Sequence, residues 1–267
     1  MDNRGIGVFD SGLGGLTVVK ALRKILPKEK IYYFGDTGRL PYGPKPKDMI
    51  LAFSLEIAKF LMTKNIKILV IACNTATAHV LDDLKEHLDI PVVGVIDAGS
   101  RGAKMVTKDK KIGVIGTKGT IGSGIYEKMI KEKIEGAVVY SKACPLFAPL
   151  VEEGMENDEV TYTMVEKYLG ELKGRVDTLV LGCTHYPLLS REIKRYFKGE
   201  GVTLVDPAVE TAIEVNDILF ETDALGEGPD NDVEYYVSQS PEHFKKLGET
   251  FLGEKIENIQ QINLEEY

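Results

Sequence analysis

Two cysteines occupy nearly identical settings in this chain and are the residues best placed to do chemistry. Each follows a short apolar run that ends in Ala or Gly, residues 68–72 before Cys73 and residues 178–182 before Cys183. Such runs are typical of buried parallel strands, so each thiol is expected at the carboxyl end of its strand. One thiolate and one thiol on opposite sides of a carbon could remove a proton from one face and return a proton to the other. The pair therefore predicts proton transfer at a carbon centre.

The surroundings of the two thiols differ. A cysteine with an ordinary pKa of about 8.5 is mostly neutral near pH 7, so neighbouring groups must favour the thiolate. His185 lies two residues after Cys183 and could exchange a proton with it. Asp10 ends the first predicted strand, which neighbours the Cys73 strand in a flavodoxin-like strand order. We therefore expect two chemically unequal sites.

Strand-like segments recur along the chain at similar offsets. The two cysteines are 110 residues apart, residues 6–11 are echoed by 112–117, and residues 91–97 are echoed by 202–206. A common spacing indicates two copies of one α/β unit. The predicted fold class is α/β, with two similar flavodoxin-like domains whose parallel sheets are related by pseudo-two-fold symmetry. Ligands bind outside the carboxyl ends of such strands, so the thiols are expected on opposite walls of the cleft between the domains.

The first domain is predicted to be discontinuous. It comprises residues 1–97 and 207–267, and the second domain comprises residues 98–206. The tail from residue 207 has no counterpart in the second unit, so we expect it to return and complete the first domain. Residues 142–154 contain two prolines and are predicted to form a loop.

Composition and charge exclude several classes of protein. The chain has 267 residues and a net charge of −8 without a basic stripe, so nucleic acid is not an expected partner. No charged and apolar leader begins it and no apolar run approaches membrane-spanning length, which predicts a cytoplasmic protein with no membrane partner. Three cysteines in a chain of this size do not suggest a disulfide framework.

A nucleotide cofactor is not expected either. Gly12 and Gly14 follow the first strand, and Asp36 stands where a ribose-binding acid would, but the third glycine of the dinucleotide fingerprint falls at Thr17. We interpret the glycine turn as a carboxylate site at a helix end or as a tight connection, and Asp36 as a turn cap or a site residue. The sequence contains no other motif typical of cofactor binding, and no metal site is predicted.

Several motifs occur together over about residues 5–206. They are Asp10-Ser11-Gly12-Leu13-Gly14-Gly15, Asp36 with Pro41-Tyr42-Gly43, Cys73-Asn74-Thr75, Ile115-Gly116-Thr117 with Thr120, Cys144-Pro145 through Glu152, and Cys183-Thr184-His185. In this order they closely resemble bacterial glutamate racemase, a family of the Asp/Glu racemase superfamily.

The resemblance implies a cofactor-independent interconversion of L- and D-glutamate that supplies D-glutamate for peptidoglycan, in an enzyme that is usually a homodimer. It implies that Cys73 removes the proton of the D enantiomer and Cys183 that of the L enantiomer, with Asp10 and His185 as their respective helpers. The substrate-binding residues it implies are Asp10, Ser11, Tyr42, Gly43, Asn74, Thr75, Thr184 and His185, with Thr117, Thr120 and Glu152 lining or supporting the pocket. Backbone N–H groups and hydroxyls of this set could bind both carboxylates of glutamate, and Asp10 could pair with its ammonium group.

Other functions stay open at this point. Aspartate or hydantoin racemases belong to the same superfamily. A thiol hydrolase could use Cys183 as nucleophile and His185 as base, although Cys73 would then be unexplained and residues two apart often diverge. A non-enzymatic protein could close its cleft on an acidic metabolite. Cys144 precedes Pro145 and lacks polar followers, so we interpret it as an inert packed thiol.

Overall fold

The strands form two separate sheets, and every strand pair is parallel. The computed structural model describes residues 2–267. Its strands are β1 (Gly5–Asp10), β2 (Ile31–Gly35), β3 (Ile66–Ile71), β4 (Val92–Gly94), β5 (Lys111–Gly116), β6 (Val138–Ala143), β7 (Thr178–Gly182), β8 (Thr203–Val205), β9 (Val233–Val237) and β10 (Ile259–Gln261). These sheets confirm the predicted α/β class with two parallel-sheet domains.

Helices connect the strands, as parallel pairing requires. They are α1 (Leu16–Ile25), α2 (Lys47–Met62), α3 (Asn74–His87), α4 (Val95–Val106), α5 (Lys118–Gly122), α6 (Ile125–Lys133), α7 (Phe147–Glu152), α8 (Glu159–Leu169), α9 (Ser190–Tyr196), α10 (Pro207–Glu221) and α11 (Pro241–Leu252). Short 3₁₀ turns cover Gly170–Leu172, Tyr186–Leu189 and Leu264–Glu266. None of the helices in residues 2–267 combines the length and apolar character that a bilayer span requires.

The strand order of the first sheet is repeated in the second. The first sheet runs β10-β9-β2-β1-β3-β4 and the second β6-β5-β7-β8, so β1 to β4 correspond to β5 to β8. In both sheets the order reverses beside the strand that ends at a cysteine, and this switch point is where α/β sheets bind ligands. Strands β9 and β10 of the tail pair with the first sheet. The exact domain boundaries at residues 97 and 206 stay a prediction.

Two local predictions were wrong. Residues 142–154 are not a loop, because β6 extends to Ala143 and α7 follows; Pro149 fits in the first turn of α7, where a backbone N–H has no helical partner. Residues 91–97 are not one strand, because β4 ends at Gly94 and α4 begins at Val95. A short, continuous apolar run does not distinguish a buried strand from a buried helix.

One cluster of buried apolar side chains extends across both domains. Strands β1 and β3 are buried along their whole length, and so is β7. The largest cluster of buried side chains continues from the first sheet through α1 and α10 to β7 in the second. This shared packing holds the carboxyl ends of the two sheets against one another.

Candidate active site

A pocket lies between the carboxyl ends of the two sheets. It contains about 450 Å³ of space that is free of protein atoms, counting its mouth, which is open to solvent. Its lining residues are Ser11, Gly12, Leu40, Pro41, Tyr42, Gly43, Cys73, Asn74, Thr75, Thr117, Ala148, Glu152, Cys183, Thr184 and His185. Eleven of the thirteen site residues expected from the sequence are among them. The other two, Asp10 and Thr120, are buried and do not line the pocket.

Cys73 is held by the start of α3. Its backbone is extended at the N-cap position, and its Sγ accepts a hydrogen bond from the backbone N–H of Ala76 at 3.4 Å. The thiol also lies 3.6 Å from the Ser11 hydroxyl, to which it can donate. Burial, and next the carboxylate of Asp10, raise the pKa of Cys73 to about 12 against the opposing effect of these hydrogen bonds. Cys73 is therefore a neutral thiol at physiological pH.

Asp10 lies behind the pocket wall and joins the two domains. Its Oδ2 accepts the backbone N–H of Gly12 at 3.0 Å, and its Oδ1 accepts the hydroxyl of Thr184 at 3.5 Å. Burial raises the pKa of Asp10, while the nearby His185 and the backbone N–H groups of the glycine turn oppose that shift. At this position Asp10 can orient Thr184 and the glycine turn, and its charge helps to raise the pKa of Cys73.

Cys183, His185 and Glu152 form a connected row. Nδ1 of His185 lies 3.9 Å from Sγ of Cys183, and Nε2 lies 3.0 Å from Oε1 of Glu152. Burial alone would lower the pKa of His185, but the hydrogen bonds to Cys183 and Glu152 outweigh it and raise the pKa to about 10. The imidazolium present at neutral pH can donate in both directions. The structure places the His185 ring beside Cys183, although side chains two residues apart often point in different directions.

Three threonine hydroxyls meet across the domain boundary. Thr75 Oγ1 at the start of α3 lies 2.8 Å from Thr117 Oγ1 and 3.3 Å from Thr120 Oγ1, and the last two are 3.1 Å apart. Thr117 also caps α5 by accepting the backbone N–H of Thr120. Thr75 and Thr117 face the pocket, whereas Thr120 supports both from behind.

A buried acid anchors the loop that closes the pocket. Asp36 is inaccessible to solvent; it accepts the phenolic O–H of Tyr42 and hydrogen bonds from Arg39. Arg39 in turn pairs with Glu56 and lies 4.1 Å from the ring centre of Phe53. Asp36 is thus an anchor for the pocket loop.

The pocket contains groups suited to anions other than the usual basic side chains. No Lys or Arg among residues 2–267 lines it. The N-terminus of α3 supplies backbone N–H groups, the threonines supply hydroxyls, and His185 supplies a cation. Within the same residues no group of three or more His, Cys, Asp or Glu could hold a metal ion.

Some residues around the site were not found from the sequence. Leu40 and Ala148 line the pocket, and Phe251 of α11 meets the His185 ring edge-on with centroids 5.5 Å apart. Phe251 reaches the site because the tail packs back on the first domain, and no local pattern around it signals this contact.

Comparisons with known proteins identify close relatives. The family model for Asp/Glu/Hydantoin racemase matches residues 15–215. The chain is 49% identical over 264 residues, 98% of its length and 97% of the other's, to a glutamate racemase from Geobacter metallireducens. It superposes on the glutamate racemase isoform RacE1 from Bacillus anthracis with a TM-score of 0.95, 43% identity and 99% coverage of both chains. The glutamate racemase from Francisella tularensis in complex with D-glutamate gives a TM-score of 0.92 at 38% identity, with both chains covered completely.

Proposed function

The chain belongs to the glutamate racemases of the Asp/Glu/Hydantoin racemase family, which are isomerases, and on that premise we propose that it racemises glutamate by a two-base reaction of Cys73 and Cys183. The observation that carries the proposal is the placement of both thiols. Each follows the corresponding strand of its own sheet, and both line one pocket. A carbon atom held between the two thiols could exchange a proton with either of them.

We propose that L-glutamate reacts first at the Cys183 wall. The thiolate of Cys183 takes the proton from Cα, and the electron pair left on Cα is delocalised into the α-carboxylate. The thiol of Cys73 then gives its proton to the opposite face, which leaves a thiolate at Cys73 and a thiol at Cys183. D-Glutamate reacts by the same steps in reverse, so proton count and charge balance in both directions.

The groups on the two walls of the pocket suit the L enantiomer. Cys73 is a neutral thiol because its pKa is raised, so it is ready to act as the acid. A cation, His185, lies beside Cys183 and can balance a thiolate there. Asp10 and His185 thus act on opposite walls, as helpers of Cys73 and Cys183 respectively.

The substrate is held by groups that accept two carboxylates. The α3 N-terminus with Asn74 and Thr75, together with Ser11, Gly43, Thr117 and Thr184, offers N–H and O–H donors around the thiols. Both proton transfers are carried out by the thiols, so the proposal requires no cofactor. The complex of the Francisella tularensis relative with D-glutamate supports this assignment of substrate.

The biological role follows from the resemblance. We propose that the D-glutamate formed is used for peptidoglycan, in cell-wall biogenesis, and that the enzyme works in the cytoplasm as a homodimer. Sedimentation equilibrium of the purified chain tests the dimer, and a D-glutamate requirement after depletion of the protein tests the role.

Incubation with L-glutamate in heavy water tests the mechanism. We expect deuterium at Cα together with loss of optical rotation, and no loss of optical rotation in Cys73→Ser or Cys183→Ser, because each variant lacks the thiol that serves one face of Cα. The matched control is Cys144→Ser, because Cys144 is buried but outside the pocket. Activity on aspartate but not glutamate would overturn the substrate, and full activity in either single-thiol variant would overturn the two-base reaction.

A further inference from the structure

Tyr126 connects the two residues that flank the cysteines. It lies on α6 of the second sheet's unit, and its side chain is almost completely buried. Its hydroxyl donates to Oδ1 of Asn74, the residue after Cys73, at 2.7 Å. Its ring packs against Gly182, the residue before Cys183, where a Cβ atom would come within 3.0 Å of Cε2. Tyr126 thus contacts one neighbour of each cysteine, Asn74 beside Cys73 and Gly182 beside Cys183.

The hydrogen bond fixes how Asn74 presents its amide. Oδ1 is occupied by Tyr126, while no group among residues 2–267 accepts a hydrogen bond from Nδ2. Asn74 lines the pocket and its Oδ1 is taken by Tyr126, so Nδ2 is the end of the amide that is left to donate to a bound anion.

An asparagine that rotated freely would offer the pocket either an N–H donor or a carbonyl acceptor. Only the donor suits a carboxylate, because a carbonyl oxygen turned toward it would repel it. Burial raises the pKa of Tyr126, so its hydroxyl stays protonated and remains a donor. A tyrosine donor at Oδ1 thus selects the orientation in which Asn74 can bind an anion.

We propose that Tyr126 is a positioning residue for glutamate binding, which acts by holding the Asn74 amide with its N–H₂ group toward a substrate carboxylate. The proposal rests on glutamate as the substrate of this pocket. Glycine at 99 and at 182 leaves room for the ring, since a Cβ atom on Gly99 would lie 3.0 Å from the tyrosine oxygen. Tyr126 itself does not line the pocket.

Tyr126→Phe is the direct test, since it keeps the ring against Gly182 and removes only the hydroxyl. We expect KM for both enantiomers to rise about tenfold, which corresponds to a loss of about 1.4 kcal/mol in substrate binding, with a smaller change in kcat, because the Asn74 amide is no longer held in one orientation. The control is Tyr236→Phe, which removes a hydroxyl bonded to Glu234 in the first domain away from the pocket. It should leave KM unchanged.

A double-mutant cycle separates positioning from a general structural effect. In an Asn74→Ala background, Tyr126→Phe should change kcat/KM by no more than about twofold, because its partner is already absent. Equal losses in both backgrounds, or a lower melting temperature with an unchanged KM, would overturn the proposal. Wild-type protein that does not racemise glutamate would instead refute the proposed function, so the two failures are distinguishable.

Discussion

Nε2 of His185 lies 3.0 Å from Oε1 of Glu152, a residue that follows a quite different strand of the second sheet. The contact orients the imidazole so that its other nitrogen faces Cys183. It also places an anion beside a buried cation, which is one cause of the raised pKa of His185. Glu152 therefore contributes, after Cys183 itself, to the raised pKa of His185 from 33 residues away in the sequence.

Glu152→Gln should shift the pH dependence of racemisation. The pKa of His185 is raised from 6.5 to about 10, and loss of the Glu152 charge removes one of the raising effects. If activity needs the imidazolium, the alkaline limb of kcat/KM against pH moves to lower pH. The measurement is kcat/KM as a function of pH, with L-glutamate and with D-glutamate as the substrate. Glu153→Gln, at the exposed neighbouring residue, is the control.

Stability should change in the same variant. A raised histidine pKa contributes stability that is complete below the unfolded value and is lost as pH rises through the folded one. The Glu152→Gln variant should therefore lose less stability than the wild type between about pH 6.5 and 10. Urea unfolding across that range provides the measurement, and parallel curves would contradict the assigned ion pair.

Gly14→Ala should disrupt the contact between the domains at the pocket. A Cβ atom at Gly14 would lie 2.1 Å from Oγ1 of Thr184 and 2.6 Å from Nδ1 of His185, so the second domain has to move away. We expect kcat/KM to fall by ~100-fold, because misplacement of catalytic groups by about 1 Å costs that much. Gly122→Ala is the control, since nothing lies within 4 Å of a Cβ there. Normal activity in Gly14→Ala would show that this close approach is not required.

The sequence predicts the strands and both thiols well because buried parallel strands are short apolar runs that end abruptly. The duplication could be detected in the sequence for the same reason. Cys73 and Cys183 each follow the carboxyl end of a strand that holds the same place in its sheet. Thr117 and Glu152 were expected from family motifs, and the structure places both at the pocket.

Contacts between distant elements could not be predicted in this way. Tyr126 and Phe251 have no local pattern that distinguishes them from core aromatics, and only packing of the two domains brings them to Asn74 and His185. The short helix α7 was missed because its proline resembles a loop signal when the helix start is unknown.

Asp36→Asn should loosen the loop that carries Tyr42. The buried carboxylate accepts hydrogen bonds from Tyr42 and Arg39, and an amide cannot accept the same set. We expect unfolding free energy to fall by about 2 kcal/mol, within the ~1.5–3 kcal/mol of hydrogen bonds to charged groups, and KM for glutamate to rise. Urea titration and steady-state kinetics measure the two effects. An unchanged KM would show that the loop keeps its place without the acid.

Lys67→Met should destabilise the fold without altering the chemistry. Nζ of Lys67 is buried at the amino end of β3; it pairs with Glu29 at 2.6 Å and donates to the carbonyl oxygens of Asp2 and Ala224 at 2.7 Å each. Glu29 also accepts the backbone N–H of Gly226, so the pair fastens the returning tail to the first sheet.

Removing one member leaves the other charge buried, which costs ~3–5 kcal/mol, whereas the active site lies at the opposite end of the strands. We therefore expect a marked drop in unfolding free energy for Lys67→Met with kcat and KM unchanged in the folded protein. The double variant Lys67→Met with Glu29→Gln should recover part of the loss, because no uncompensated charge remains. The exposed Lys104→Met serves as control, and equal stability of Lys67→Met and Lys104→Met would contradict the anchoring role.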